Sequence, residues 1–457
     1  MTDDLSTFHS PHQSSFDKRV STCVKRNINR AQNLSVTKGD QAESFSGKHG
    51  HMEEIDIGFP TETVKEGQTK LVVPRLQAFV KSGSEYAPSK APVFYNPVME
   101  LNRDVAVLAL QAYQRILDRE ISVCEPLASC GARGVRFAVE VQGVNKVVMN
   151  DINRKAFAVA KHNAELNNVE GKVTVKNEDA NLLLNRHSAP RKRFDAVDVD
   201  PFGSPARYID SAVRALRNHG LLALTATDMA PLCGVHPKAC IRKYGGKPLR
   251  TEYCHELAVR LLAGCLATIA AKHEIGIHIM FSHNAEHYVR VYATLEYGAK
   301  KADEALKNMG YVLHCFKCFH RESSNELYTI KRSGNCSECD SKLSIAGPLW
   351  LGNLSDARFC NLMENEVHRR KLRQANRIEK MIALTNEEID APAGYYVIDK
   401  LCDALNLPVP SVKKVAEKLG KNGFTATLTH FNPKALRSNA PSSEVKRLLK
   451  EAVKESR

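Results

Sequence analysis

The chain has 457 residues, 43% of them hydrophobic and 25% charged, which excludes disorder throughout and, at roughly 100 to 200 residues per domain, a single small module. Lys and Arg total 65 against 51 Asp and Glu, a formal charge of +14. A field of that sign favours a polyanion, so nucleic acid is the expected partner, and no uncharged apolar window of about 18 residues argues for a membrane one. The 13 cysteines are an odd number behind a Met1-Thr2-Asp3-Asp4 start with no leader pattern, which predicts a cytoplasmic protein with metal-bound or buried thiols rather than disulfides.

Residues 1–51 are rich in Ser, Thr, Asn, Gln and His without apolar periodicity and are expected to form a disordered N-terminal extension. Denser sequence begins at Met52. Leu71-Val72-Val73-Pro74 reads as a short strand, and Met99, Val105, Leu108, Ala109, Ala112 and Ile116 lie at helical spacing in a helix over 96–118. Short apolar runs then alternate with helical segments: Ser122-Val123-Cys124-Glu125, Lys146 to Asp151, Val173-Thr174-Val175, Phe194 to Asp200 and Gly220 to Thr225. Such runs, bounded by turn residues, predict a doubly wound α/β sheet with its ligand at the carboxyl ends of the strands, near the reversal of strand order. Segments 276–282 and 288–297 read as an antiparallel hairpin on one edge.

From about Tyr311 the composition turns to a cysteine-containing, turn-rich stretch and then to charged helical sequence. The expected organisation is an extension over 1–51, a catalytic domain over 52–310 and a C-terminal α+β domain over 311–457. In the last of these, Ile398, Leu401, Leu405 and then Val412, Val415, Leu419 at helical spacing precede a hairpin over 425–429, a winged-helix-like order.

Three motifs carry chemistry. Cys315-x2-Cys318-x17-Cys336-x2-Cys339 presents two thiolate pairs, which matches the tetrahedral preference of a structural zinc with no open position. His314 and His320 beside it are expected at the surface, and Cys233, Cys240 and Cys254, which lack metal spacing, as buried thiols. Glu125 to Gly134 is a strand end turning into a helix, where Gly131 and Gly134 let backbone approach a ligand, and Asp151 ends the next strand where a carboxylate binds ribose hydroxyls. Together they predict an adenosyl-type cofactor, nicotinamide or S-adenosylmethionine. Asp198-Val199-Asp200-Pro201-Phe202-Gly203 follows at the fourth strand end. A heteroaryl amine is a poor nucleophile because its lone pair is delocalised; Asp200 and the carbonyl of Pro201 accepting its two N–H bonds localise that pair, while Phe202 stacks on the base. That set selects amino-group methylation over hydride transfer.

The run from Asp200 to Pro205, Thr225 to Asp228 through Cys233-Gly234, Arg242-Lys243-Tyr244, Cys254-His255-Glu256, Tyr288-Val289-Arg290-Val291 and the four cysteines followed by Gly347-Pro348-Leu349-Trp350 resemble the tRNA (guanine-N2) dimethyltransferase family, in the compact form of its archaeal members. The resemblance implies a Rossmann-like class I methyltransferase with a mostly parallel seven-stranded sheet. It implies two methylations of guanosine 26 in tRNA from S-adenosylmethionine, Arg103, Arg133, Asp151, Asp179 and Ala180 at the cofactor, and Asp200 at the target amine. tRNA would be the partner of a monomer with no obligate protein partner. Cys130 departs from the usual Thr or Ser, and residues 1–51 have no counterpart.

Other readings share parts of this pattern. A methyltransferase for adenine N6 or another RNA guanine would use the same Asp-Pro-Phe site, and a non-catalytic tRNA-binding protein would share the charge and the zinc. Arg242, Lys243, Lys247 and the run from Arg369 to Arg377, placed on a C-terminal helix, are candidate phosphate contacts. His255-Glu256 opening an apolar helix is read as capping and packing. His430-Phe431-Asn432-Pro433 with Arg437 resembles the family's C-terminal ending without suggesting a mechanism.

Overall fold

The strands predicted from short apolar runs form one sheet in the computed structural model, which describes residues 57–79, 88–285, 287–326 and 334–455. The extension over 1–51 lies outside the described residues. An antiparallel ribbon, β1 (Thr61–Glu66) and β2 (Thr69–Pro74), precedes α1 (Glu100–Leu117). A 3-10 turn over Pro97–Met99, capped by Asn96 accepting the Val98 N–H at 3.0 Å, leads into that helix, which stops at Asp118 in the left-handed region.

There follow β3 (Ile121–Glu125), α2 (Ala132–Glu140), β4 (Val144–Asn150), α3 (Arg154–Leu166), β5 (Val173–Lys176), α4 (Ala180–Arg186), β6 (Phe194–Val199), α5 (Ala206–Arg214) and β7 (Leu216–Ala226). After β7 come α6 (Met229–Leu232), α7 (Pro237–Tyr244), α8 (Cys254–Ala271), β8 (Ile275–Ala285), β9 (Tyr288–Tyr297) and α9 (Ala299–Leu306). The seven strands are ordered β5-β4-β3-β6-β7-β9-β8, with β3 to β7 parallel and β9 antiparallel to both of its neighbours. Strand order reverses between β3 and β6. Their carboxyl ends, at Glu125 and Val199, therefore open the crevice where a doubly wound sheet binds its ligand.

By length and composition α8 is apolar enough to cross a membrane, yet 13 of its 18 residues are buried against the sheet and the C-terminal region. It is a core helix.

Beyond residue 310 a small antiparallel sheet orders β11 (Arg321–Ser324), β10 (Met309–His314) and β12 (Ser344–Trp350), with the cysteine pairs in the turns between. Val312, Ala346, Leu349 and Trp350 are buried in the same core as α8 and the large sheet. Helices α10 (Ala357–His368) and α11 (Ala375–Glu387) cover the other face, where Phe359, Met363, Ile378 and Ile382 share a core with α1. The winged-helix-like order then appears: β13 (Tyr396–Val397), α12 (Ile398–Leu405), α13 (Val412–Lys421), β14 (Ala426–Leu428), β15 (Ala435–Ser438) and α14 (Ser442–Lys454). Only the middle of the predicted 425–429 strand pairs, with β15 between β13 and β14.

The Arg369–Arg377 run is not a helix at its start: it is mostly the turn between α10 and α11. Arg370 is nearly buried, donating to the Glu140 carbonyl at 2.9 Å and Gln111 Oε1 at 3.1 Å, and Arg373 reaches the Lys65 carbonyl at 3.1 Å. Arg370 thus ties the turn to α1 and α2, while the side chains of Arg369 and Arg373 stay largely exposed.

Candidate active site

The crevice is built around one buried guanidinium. Arg133, in the first turn of α2, donates to Asp198 Oδ1 at 2.7 Å, to Asn102 Oδ1 at 2.6 Å and to Asp200 Oδ2, and its head lies 4.0 Å from Glu125. Asp198, in β6, is shared with Arg290 of β9, which also donates to Thr225 and to the Tyr292 hydroxyl at 2.7 Å. Arg133 and Arg290 are buried beside these acids. Burial pushes the Asp200 carboxyl up, but Arg133 and Arg290 outweigh it and hold the group below the usual carboxylate range. Burial pushes Glu125 up to about 8, reinforced by Asp198 and Asp200 and opposed by Arg133.

Asp200 stands at the mouth rather than in the core. It follows the last residue of β6, with Pro201 buried behind it and Phe202 71% exposed in edge-to-face contact with Phe94, centroids 4.7 Å apart. Gly203, at φ 77°, turns the chain there, and it is tied both ways to Thr227 after β7: its N–H donates to Thr227 Oγ1 at 2.7 Å and its carbonyl accepts the Thr227 N–H at 2.9 Å. The turn therefore presents a carboxylate, a carbonyl and a solvent-facing aromatic ring in consecutive residues.

Of the predicted cofactor residues, Arg133, Asp151 and Asp179 with Ala180 follow the carboxyl ends of β3, β4 and β5, whereas Arg103 lies on α1. Asp151 accepts the N–H groups of Ser129 at 2.8 Å and Asn153 at 2.9 Å, which fixes its carboxylate and leaves acceptor capacity for hydroxyl donors. Asp179 caps α4 through the Leu182 N–H at 3.0 Å, with Ala180 buried as the first helical residue. Arg103 is held bidentately by Glu66, at 2.6 and 2.7 Å, in a buried network with Arg136 and Tyr95. Gly131, at φ 77°, makes the turn into α2, but Gly134 serves packing: a Cβ there would lie 2.4 Å from Met149 Sδ. The second glycine brings helix and strand together rather than backbone and ligand.

The four cysteines converge as the spacing predicts. All four sulfurs lie within 4.8 Å of one another, Cys315 and Cys339 at 3.5 Å and Cys318 and Cys336 at 3.4 Å. A regular tetrahedron with zinc–sulfur bonds of about 2.3 Å puts sulfurs about 3.8 Å apart, so the donor set fits zinc and leaves no position for water. His314 departs from expectation. It is fully buried in β10 against Tyr253 and Phe316, both ring nitrogens lack hydrogen bonds, and burial pulls it down to about 3. Its alternate position in β10 points it into the core, which proximity to the cysteines concealed.

Residues 67–450 match the model of the family described as N2,N2-dimethylguanosine tRNA methyltransferase. The chain belongs to this family. It is 42% identical to the tRNA (guanine(26)-N(2))-dimethyltransferase of Methanobrevibacter smithii over 86% of this chain and 98% of that one. It is 36% identical to the tRNA (guanine(26)-N(2)/guanine(27)-N(2))-dimethyltransferase of Aquifex aeolicus over 85% and 96%. The solved complex of Trm1 from Pyrococcus horikoshii with S-adenosyl-L-methionine superposes with a TM-score of 0.73 at 32% identity, covering 85% of this chain and 99% of that one.

Against that family background, sequence reasoning missed the partners that hold the site. Asn102, Asp198, Thr225, Arg290 and Tyr292 complete the network around Arg133 and Asp200. A signal existed for one of them, since an arginine inside the apolar run Tyr288 to Tyr292 has to find a buried acid. Glu256 is a structural acid: it accepts from Arg260 at 2.8 Å, Arg437 at 2.9 Å and the Gly394 N–H at 3.0 Å. Arg437 also donates to Glu388 at 2.5 Å, and Glu388 meets His430. The His430 and Arg437 motif thus anchors the C-terminal sheet to α8. Lys243 pairs with Asp228 at 2.8 Å, while Arg242 and Lys247 are exposed.

Proposed function

We propose that the chain transfers methyl groups from S-adenosylmethionine to the exocyclic N2 of guanosine 26 in tRNA, giving N2,N2-dimethylguanosine, as a cytoplasmic monomer. The observation that carries this reading is an ionised carboxylate, Asp200, held by Arg133 at the strand-order reversal with an exposed aromatic ring two residues on. S-adenosylmethionine, when bound, supplies an electrophilic sulfonium methyl. Asp151 would take the ribose hydroxyls, and Arg103, Arg133, Asp179 and Ala180 would complete the cofactor pocket.

The guanine has to leave its stack to reach the crevice, and Phe202 offers the replacement surface. Asp200 accepts one amine N–H and the Pro201 carbonyl the other, which turns the lone pair toward the methyl. As the N–C bond forms and the S–C bond breaks, the nitrogen becomes strongly acidic, so even a weakly basic Asp200 takes its proton and passes it to water. Arg133 keeps Asp200 ionised between turnovers. For the second transfer one N–H remains, and one acceptor suffices.

Cys315, Cys318, Cys336 and Cys339 would hold a structural zinc, and the region over 311–457 would dock the tRNA body, with Arg242 and Lys247 among the phosphate contacts. The test is incubation of unmodified tRNA transcript with S-adenosylmethionine, followed by nucleoside mass spectrometry. N2-methylated guanosine that vanishes when position 26 is adenosine supports the reading. Methylation retained in that control moves the target to guanosine 27, named for the Aquifex aeolicus relative. Methylated adenosine, or no methylation despite binding of both substrates, overturns it.

A further inference from the structure

A second cluster of metal-ligating side chains lies outside the four-cysteine site. Cys233, just after α6, and Cys254 and His255, the first two residues of α8, place two sulfurs and a ring nitrogen within 4.8 Å of one another. The ligands are separated by 20 intervening residues, so no sequence spacing reveals them. Both cysteines are free of disulfides and half-buried. Among the described residues His255 has no hydrogen-bond or ion-pair partner, although it is half-buried; its neighbour Glu256 is fully committed to Arg260 and Arg437.

We propose that Cys233, Cys254 and His255 form a second site for a thiophilic divalent cation of the zinc class, with the fourth coordination position open to solvent. Two thiolates and one imidazole are a recurrent three-ligand set for zinc, and bond lengths of about 2.0 to 2.3 Å place such donors at separations the cluster reaches by small side-chain rotations. The unpartnered imidazole gains its missing acceptor role, and the half exposure supplies the water ligand. The site ties the segment after β7 to α8. That segment begins at Thr227, whose two hydrogen bonds hold Gly203 of the catalytic turn, so the cation would brace the turn from behind.

The test is the metal content of the full chain purified under reducing conditions, loaded with zinc alone and desalted. Two equivalents per chain are expected, falling to one in Cys233→Ser and in His255→Ala while the four-cysteine site keeps its own. That retained equivalent also reports that the variants fold. Should the variants not fold, thiol alkylation of the native chain decides. Zinc is expected to protect Cys233 and Cys254 from iodoacetamide, with protection lost on chelation. A single equivalent unaffected by either substitution, alkylation indifferent to zinc, or a Cys233–Cys254 disulfide in its place overturns the proposal.

Discussion

Replacing Asp200 with asparagine preserves the side chain's volume and removes its charge. In the structure Arg133 donates to Asp200 Oδ2, and it keeps Asp198 at 2.7 Å and Asn102 at 2.6 Å whatever stands at position 200. The clamp therefore survives, and folding stability changes little. The asparagine will turn its carbonyl oxygen to Arg133, because the guanidinium has only donors. Its NH2 group then faces the target amine, donor against donor, and cannot orient the lone pair. A hydrogen bond to a charged group contributes about 1.5–3 kcal/mol, and at about 1.4 kcal/mol per decade the loss is roughly 10- to 150-fold in kcat. Proton acceptance is lost as well, so the upper end is expected. Single-turnover methyl transfer to tRNA, with tRNA affinity measured separately, checks this: kcat should fall about 100-fold with affinity within about threefold. A variant within threefold of the parent in kcat would refute the assignment of Asp200 to the amine.

Phe202→Ala should leave thermal stability almost unchanged, since the ring is 71% exposed, but remove a base-stacking surface worth about 1–3 kcal/mol, read as a 5- to 150-fold fall in kcat/KM for tRNA. Arg437→Met strands the buried carboxylates of Glu256 and Glu388, and breaking buried pairs costs about 3–5 kcal/mol, measurable by chemical denaturation. Burial pushes Glu388 up, but Arg437 and His430 outweigh it and hold the carboxyl at about 2. Its folded value is depressed, so its stabilisation is present above the ordinary carboxylate range and lost as pH falls toward 2. Acid unfolding should begin at higher pH in the Met variant. Glu125 has the opposite sign: its folded value is raised to about 8, so stability is greatest below the ordinary carboxylate range and declines as pH rises to about 8. Glu125→Gln retains the acceptor for the Gly134 N–H, which Glu125 Oε2 takes at 2.9 Å, and should flatten the stability profile between pH 5 and 8.

The sheet was legible because each buried parallel strand writes itself as a short apolar run, and the four cysteines because zinc fixes its ligands at short spacing. The Asp200 to Gly203 turn was legible for the same reason, being local: carboxylate, carbonyl and ring are consecutive. What stayed hidden is whatever the topology assembles from distant strands. Arg290 reaches Asp198 across 92 residues and Arg370 reaches Gln111 across 259, and neither pairing leaves a periodicity. That Arg370 of the basic run turns inward was not legible either, because a sequence does not show which cations are already paired. His314 looked exposed because it stands beside the first cysteine pair, whereas its place in β10 with Gly310 and Val312 turned it inward.

The local charges explain why a carboxylate in so acidic a crevice stays ionised. Glu125, Asp198 and Asp200 face two guanidinium groups, Arg133 and Arg290, in a buried space. Three negative charges against two positive ones would be costly there, so one acid has to take a proton. Asp198 bridges both arginines, and Asp200 has Arg133 and partial access to water. Glu125 has the weakest claim: it stands 4.0 Å from Arg133, buried, with a neutral N–H as its hydrogen-bond donor. It is the group pushed to about 8. The proton stored on Glu125 thus leaves the charge on Asp200, the more solvent-exposed of the two aspartates, where the proposed mechanism places the amine.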